Sequence, residues 1–441
     1  MNHGLMRLAM VYCLYKMFQA SQGDVQAAFL QAFMQLTKDS SEVKSPAPEK
    51  PTMLYVKLPL DLPPEIIKLG LEPGGIYPII KAMYGLAESP RLFTQQFKDE
   101  AKKGGWVEIA ESILIHTKDN GSNIDGVMFM HMDDLMNLAE KPTEMLQELD
   151  KRFKMGKIEE IKSDAITVYT GLDIKWDPKN KRCEIGQDRY INSIKTDLTD
   201  KEKRRRFGPS DLKLTEDKDV DMKFQQAQQA WTGVLGWAAK TQRQLSVVFG
   251  ELSRNGNRPS RGSVLSTQRG CEYAKETCKP LVLEAISNPA IVVWVDASYS
   301  IFTCDGRLGW EIQVIDESEI GKDASKFPEK NVINWRSIRC KKKLASTTSA
   351  ELCALIEGVK AVPAYTSMCE KLWGKMPKVI FVTDNQPLLA WLRTGWVESD
   401  PHMQGTLELA KSRIDGIGAT VLWVDTANQR ADKHTKFIYS K

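Results

Sequence analysis

Ile291-Val292-Val293-Trp294-Val295-Asp296 is an apolar, β-branched run closed by an acid. The run reads as a buried strand. Burying an ionised carboxylate costs several kcal/mol or more unless something neutralises it, so the acid at its end needs a reason. The pattern recurs. Val127-Met128-Phe129-Met130-His131-Met132 precedes Asp133-Asp134, and Val379-Ile380-Phe381-Val382-Thr383 precedes Asp384. Asp24 stands between a polar turn and Ala27-Ala28-Phe29-Leu30. For any one of these a cap or turn is the ordinary role. Four such places in one chain, one of them an adjacent pair, point further. Neighbouring carboxylates repel, a divalent cation relieves the repulsion, and two-metal phosphoryl transfer requires such clusters.

Downstream of Asp296 the pattern is strand, strand, strand, helix, strand, helix, strand, helix. Ser346-Thr347-Thr348-Ser349 supplies capping groups for a helix that carries Glu351. Asp432 begins the last helical segment. An α/β sheet gathers strand ends and helix starts at one edge. Asp296, Glu351, Asp384 and Asp432 would meet there and could hold two metal ions ~4 Å apart.

Upstream, residues 5–20 read as a helix feeding a strand at 21–25, and 36–52 as a polar surface loop. A strand follows at 54–59, then a turn into an amphipathic helix over 78–100. Strands over 105–137 are broken by the turn Lys118-Asp119-Asn120-Gly121. Residues 142–153 are helical, and 165–176 and 182–185 strand-like. The charged stretch 198–222, with Lys203-Arg204-Arg205-Arg206, reads as a linker, and 223–285 as helical.

Composition narrows the chemistry. A chain of 441 residues suggests about three domains. With 42% hydrophobic and 27% charged residues, wholesale disorder is excluded. The net charge of +4 neither demands nor excludes a polyanionic partner. Eight scattered cysteines form no C-x-x-C, and five histidines give no zinc spacing and no H-E-x-x-H. Any catalytic metal is therefore expected on carboxylates, which favours magnesium or manganese over zinc. No apolar run reaches the ~18 residues of a membrane span. Leu8–Tyr15, closed by Lys16 without a cleavage site, reads as part of a buried helix rather than a signal peptide. Free thiols suggest a reducing compartment, so the expected location is intracellular, in cytoplasm or nucleus, and not secreted.

These residues carry a resemblance over nearly the whole chain. It resembles the reverse transcriptase–RNase H region of a Ty1/copia-type retrotransposon Pol polyprotein. Gly23-Asp24-Val25-Gln26-Ala27-Ala28-Phe29-Leu30 resembles the family's D-V-x-x-A-F-L block. Lys81-Ala82-Met83-Tyr84-Gly85-Leu86 with Pro90-Arg91 resembles K-A-x-Y-G-L-x-x-x-P-R. His131-Met132-Asp133-Asp134 stands in place of Y-V-D-D. Thr170-Gly171-Leu172-Asp173-Ile174 and Gln187-x-x-Tyr190 follow the thumb-side pattern. Trp335-Arg336-Ser337, Ser346-Thr347, Ala350-Glu351, Asp384-Asn385-Gln386 and Asn428-Gln429-x-Ala431-Asp432-x-x-Thr435-Lys436 resemble its RNase H.

The resemblance implies an α+β palm and partial thumb over 1–197 (an antiparallel sheet with helices). A linker and helical connection would follow over 198–288, then an α/β mixed-sheet RNase H-like domain over 289–441. It implies Asp24, Asp133 and Asp134 as polymerase metal ligands, and Asp296, Glu351, Asp384 and Asp432 as those of a nuclease, with two Mg2+ or Mn2+ ions at each site. Phe29 would screen the sugar 2′ position, and Tyr84, Gly85, Pro90 and Arg91 would lie under template and nucleotide. The partners implied are an RNA–DNA hybrid, an RNA or DNA template-primer and dNTPs. Departures accompany it. Little chain precedes Asp24, so the fingers are expected to be largely missing, as in an N-terminally truncated fragment. His131 replaces the usual Tyr, F-L-N-G reads Phe29-Leu30-Gln31-Ala32, and R-P-D reads Arg243-Gln244-Leu245. Hydrolysis of RNA in hybrids is accordingly the activity expected to survive, with polymerisation impaired. A catalytically inactive nucleic-acid-binding remnant would carry the same signature.

Lesser features have two readings each. Lys203–Arg206 and Lys341–Lys343 could track phosphates or form a solvated surface. Trp231, Trp237, Trp335 and Trp423 could stack on bases or pack in cores. His434, two residues after Asp432, could assist proton transfer or simply fray at the C-terminus.

Overall fold

The computed structural model describes residues 2–34, 54–118, 123–213, 221–300, 305–397 and 400–438. The loop expected over 36–52 lies outside them, as does Asp119-Asn120-Gly121 of the expected turn. The chain divides into two compact units, one made of residues 1–19 with 161–441 and the other of 20–160. This division differs from the boundaries expected at 197/198 and 288/289.

The larger unit begins with the helix His3–Tyr15, capped by the Asn2 side chain, which accepts from the Gly4 and Leu5 N–H groups. Every residue from Gly4 to Leu14 is buried, and a helix apolar all round belongs inside a core. It packs against the strand Val332–Arg339 and the helix Thr347–Trp373. The Tyr12 and Trp373 rings meet at 4.9 Å. The buried Arg7 guanidinium donates to the carbonyls of Ile333 (3.0 Å) and Lys240 and lies 4.9 Å over Trp335. Burial pulls its pKa down to about 10.

That unit holds a mixed five-stranded sheet ordered 332–339, 305–316, 289–300, 378–383, 420–423. The first three strands are antiparallel, and the last two run parallel to 289–300. A second, antiparallel sheet is ordered 281–284, 182–186, 172–177, 166–169. Three helices, Met222–Ala238, Leu245–Leu252 and Arg261–Glu276, share a core through Leu235, Val248, Leu252, Cys271 and Ala274.

Three local readings change. Residues 281–284, expected in a helical stretch, pair as a strand with 182–185. Two helices, Gln386–Thr394 and Gln404–Gly416, precede the last strand, and a 3-10 turn, Arg430–His434, follows it in place of a full helix. The expected linker contains ordered structure: Asp211 is fully buried and bound by Arg269 (2.8 Å), because a buried carboxylate must find a cation.

The smaller unit has a six-stranded sheet ordered 106–110, 113–118, 123–131, 134–139, 19–24, 159–161. The first four strands are consecutive antiparallel neighbours. The helices Ser89–Lys103 and Pro142–Asp150 cover one face, where Phe93, Phe97, Leu146 and Phe153 pack on Leu114, Met128 and Met130. No helix among the described residues is long and apolar enough to cross a membrane.

Candidate metal centre

Asp296 sits within the strand Pro289–Ser300 rather than at its end, two residues past the last parallel pair, Trp294 with Val382. Glu351 is in the first turns of the helix Thr347–Trp373, whose Ser346 side chain accepts from Ser349 N–H (3.1 Å). Asp384 follows the strand Lys378–Thr383, before the Asn385 cap of the next helix. Asp296 and Glu351 are buried, Asp384 is half-buried, and each offers an oxygen within 4.8 Å of the others.

Two of the acids are held by hydrogen bonds. Glu351 Oε1 accepts from Ala297 N–H (3.1 Å), while its Oε2 is buried with no hydrogen-bond partner. The Thr435 hydroxyl donates to Asp296. Gln429 donates to the Val295 carbonyl (2.9 Å), which fixes the turn bearing Thr435 to the strand. Gly309 lies directly opposite Asp296, and a Cβ there would come within 2.8 Å of His434 Cβ. A side chain at 309 would therefore push the turn away.

The electrostatics match a site short of positive charge. Burial raises the Asp296 pKa to about 7, with Asp432 and Asp384 adding to the shift while Thr435 and Lys436 oppose it. Burial also raises Glu351 well above the carboxylate range, and Asp296 and Asp384 reinforce it. Asp432 lies outside the group of three. It pairs with Lys436 (2.9 Å) and acts on Asp296 through its charge. Burial works against the Lys436 ammonium, but Asp296, Asp432 and Asp384 together raise its pKa. Three carboxylates without His or Cys suit a hard divalent cation, and Glu351 Oε2 has no hydrogen-bond partner within the protein. Thr435 and Lys436 are the residues whose roles the sequence reading did not assign. Their spacing of three and four from Asp432 was the available signal, since it puts all three on one side of a helical turn.

His434 is fully buried rather than frayed. Its Nδ1 meets Ser246 Oγ (2.7 Å) and its Nε2 meets Glu311 Oε2 (3.0 Å). Glu311, also fully buried, pairs with Arg243 (3.0 Å). Burial opposes its charge, but Arg243, Lys433 and His434 hold it below the carboxylate range.

In the smaller unit, His131 and Asp134 pair across a two-residue hairpin turn whose Met132 has φ 55°. Val25 N–H donates to the Asp133 carbonyl (2.8 Å), which brings Asp24 beside the turn. Burial raises the Asp134 pKa, and Asp133 and Asp24 add to it. Among the described residues, Asp24, Asp133 and Asp134 do not form a group as tight as that at Asp296. Phe29 lies 4.8 Å from Tyr84, ring to ring. Gly85 has φ 94°, Pro90 lies in the first turn of the helix Ser89–Lys103, and Arg91 pairs with Glu88 (2.8 Å).

No family model matches the chain, and no curated protein matches it. Solved structures do. RNase H1 from the halophilic archaeon Halobacterium salinarum NRC-1 is 16% identical, with 32% of this chain and 92% of that chain covered at a TM-score of 0.25. LC11-RNase H1, isolated from compost by a metagenomic approach, is 14% identical, with 33% and 91% covered at 0.25. The N-terminal RNase H domain of rv2228c from Mycobacterium tuberculosis is 16% identical, with 33% and 90% covered at 0.24.

Proposed function

We propose that the chain is a divalent-metal-dependent enzyme of nucleic-acid phosphoryl transfer, and that residues 289–441 hydrolyse the RNA strand of an RNA–DNA hybrid. The observation that carries this reading is the cluster of Asp296, Glu351 and Asp384, with Glu351 Oε2 buried and unpartnered. Asp296, Glu351 and Asp384 would hold Mg2+ or Mn2+, with Asp432 adjoining for a second ion. Bound there, the metal supplies Lewis acidity at a phosphoryl oxygen and a more acidic water. The protein's part is positioning: Ala297 N–H orients Glu351, Thr435 orients Asp296, and Lys436 offsets negative charge on the approaching phosphate. The hybrid, as the substrate, is what the resemblance of the last third to an RNase H implies, and the 2′-OH would mark the strand to be cut.

The test is cleavage of a labelled RNA strand in an RNA–DNA hybrid, with magnesium and then manganese. Asp384→Asn is expected to abolish cleavage and leave hybrid binding nearly intact. Unchanged cleavage by that variant would sink the assignment. Hybrid binding without cleavage by the unaltered chain would favour the inactive remnant.

A second activity has its own support in the smaller unit. The closeness of Asp24 to the Asp133-Asp134 turn favours a polymerase site there, with Asp24, Asp133 and Asp134 as metal ligands. Phe29, Tyr84, Gly85, Pro90 and Arg91 would line the template and dNTP path, and a primer 3′-OH would attack the α-phosphate. Metal-dependent primer extension that disappears in Asp133→Asn is the expected result.

A further inference from the structure

The larger unit contains a cavity of about 500 Å³ whose lining includes none of the carboxylate trio and is rich in cations. Arg206, Arg243, Lys279 and Lys433 line it, with Glu276 and Thr277 among the remaining wall. Two of the cations are fixed in place. Arg243 is held by Glu311 (3.0 Å) and Glu329 (3.3 Å), and Lys433 lies within 4.0 and 3.8 Å of the same two acids. The other two are exposed. Arg206 ends the basic run 203–206, and the next residue, Phe207, is buried against Tyr273 (5.3 Å) and Phe437 (5.5 Å). That aromatic anchor turns the last residue of the run onto the cavity.

We propose that this cavity is an anion site that takes a phosphodiester of the nucleic-acid backbone. In the wall four cations stand against one acid, Glu276, which favours an anion, and a phosphodiester is the anion a nucleic-acid strand presents. Preorganised Arg and Lys groups are the usual means of fixing a strand's register without reading its sequence. Lys433 neighbours Asp432 on the turn Arg430–His434, so one rigid segment borders both the cavity and the carboxylate cluster. The inference rests on the reading of nucleic acid as substrate and names a second point at which the strand is held.

The test uses the full chain carrying Asp384→Asn, so that substrate is not consumed. Binding of a labelled RNA–DNA hybrid is followed by fluorescence anisotropy over a range of potassium chloride. Arg206→Gln with Lys279→Gln should weaken binding by about tenfold and reduce the log–log salt slope by about one, the change expected for one lost phosphate contact. The pair Lys322→Gln with Lys326→Gln, exposed elsewhere in the unit, removes the same charge and controls for net charge. A loss no greater than in that control overturns the proposal, and so does a folded chain that binds no hybrid. The two readings fail separately. Cleavage by the unaltered chain with no cavity-specific loss of affinity removes the cavity and keeps the nuclease. Cavity-specific loss without any metal-dependent cleavage does the reverse.

Discussion

At the scale of single residues, the fate of each buried charge is set by its partner. Glu311 tolerates complete burial because Arg243 and His434 meet it. Arg243→Met would leave that carboxylate without its main cation and should cost about 3–5 kcal/mol in denaturant unfolding, the usual penalty for breaking a buried pair from one side. His434 gives the unit a pH dependence. Burial lowers its pKa below the ordinary value of about 6.5, although Glu311 opposes that. Unfolded chains then take up a proton that the native state resists. Stability should be full above pH ~6.5 and fall as the pH drops below it. Thermal melts of the His434→Gln variant should show a flatter profile in this range; an identical slope would mean other groups dominate. At the trio, the orphaned Glu351 Oε2 predicts that Mn2+ raises the melting temperature through binding to the native state. Glu351→Gln should remove that shift, and its persistence would place the ion elsewhere.

At the scale of elements, two close approaches bring the acids together. A Cβ on Gly358 would lie 3.0 Å from Val295 and 3.1 Å from Val293, so the helix carrying Glu351 lies directly on the strand carrying Asp296. Gly309 does the same for the turn Arg430–His434 and the Thr435 beyond it. Gly309→Ala should therefore destabilise the chain by about 1–3 kcal/mol through overpacking, and weaken Mn2+ binding because Thr435 leaves Asp296. A Mn2+ titration beside a thermal melt separates the two effects; loss of stability with unchanged affinity would show that Thr435 does not position Asp296. The apolar strands, the acid after Lys378–Thr383 and the Ser346 cap were legible because they are local features of composition and spacing, whereas the strand through Asp296 runs four residues past the acid that was expected to end it. The strand 281–284 was not. Its four residues pair with 182–185, about a hundred positions away, and nothing in their own sequence distinguishes them from the end of a helical stretch.

At the scale of the whole molecule, the larger unit closes on its own N-terminal helix. His3–Tyr15 fills the space beside 332–339 and 347–373, and Arg7 supplies hydrogen bonds to carbonyls of two distant segments. Removing residues 2–16 should lower the melting temperature of this unit and speed amide exchange in 332–339 and 347–373. Protection unchanged by the deletion would mean that the helix is dispensable to the sheet. The sequence by itself determined the helix, the apolar strands, the acids that interrupt them and the capping groups. Each follows from periodicity, from the cost of burying charge, or from backbone groups that need partners at helix ends. Only the tertiary structure decided that the first helix belongs with the strand 332–339 and the helix 347–373. It also decided that His434 is core rather than terminus, and that three of the acids converge within 4.8 Å while Asp432 turns to Lys436. The physical reason is that apolar faces are interchangeable in a linear reading. Which of them pack together is selected by shape and by long-range pairing, and neither is written in any local stretch of chain.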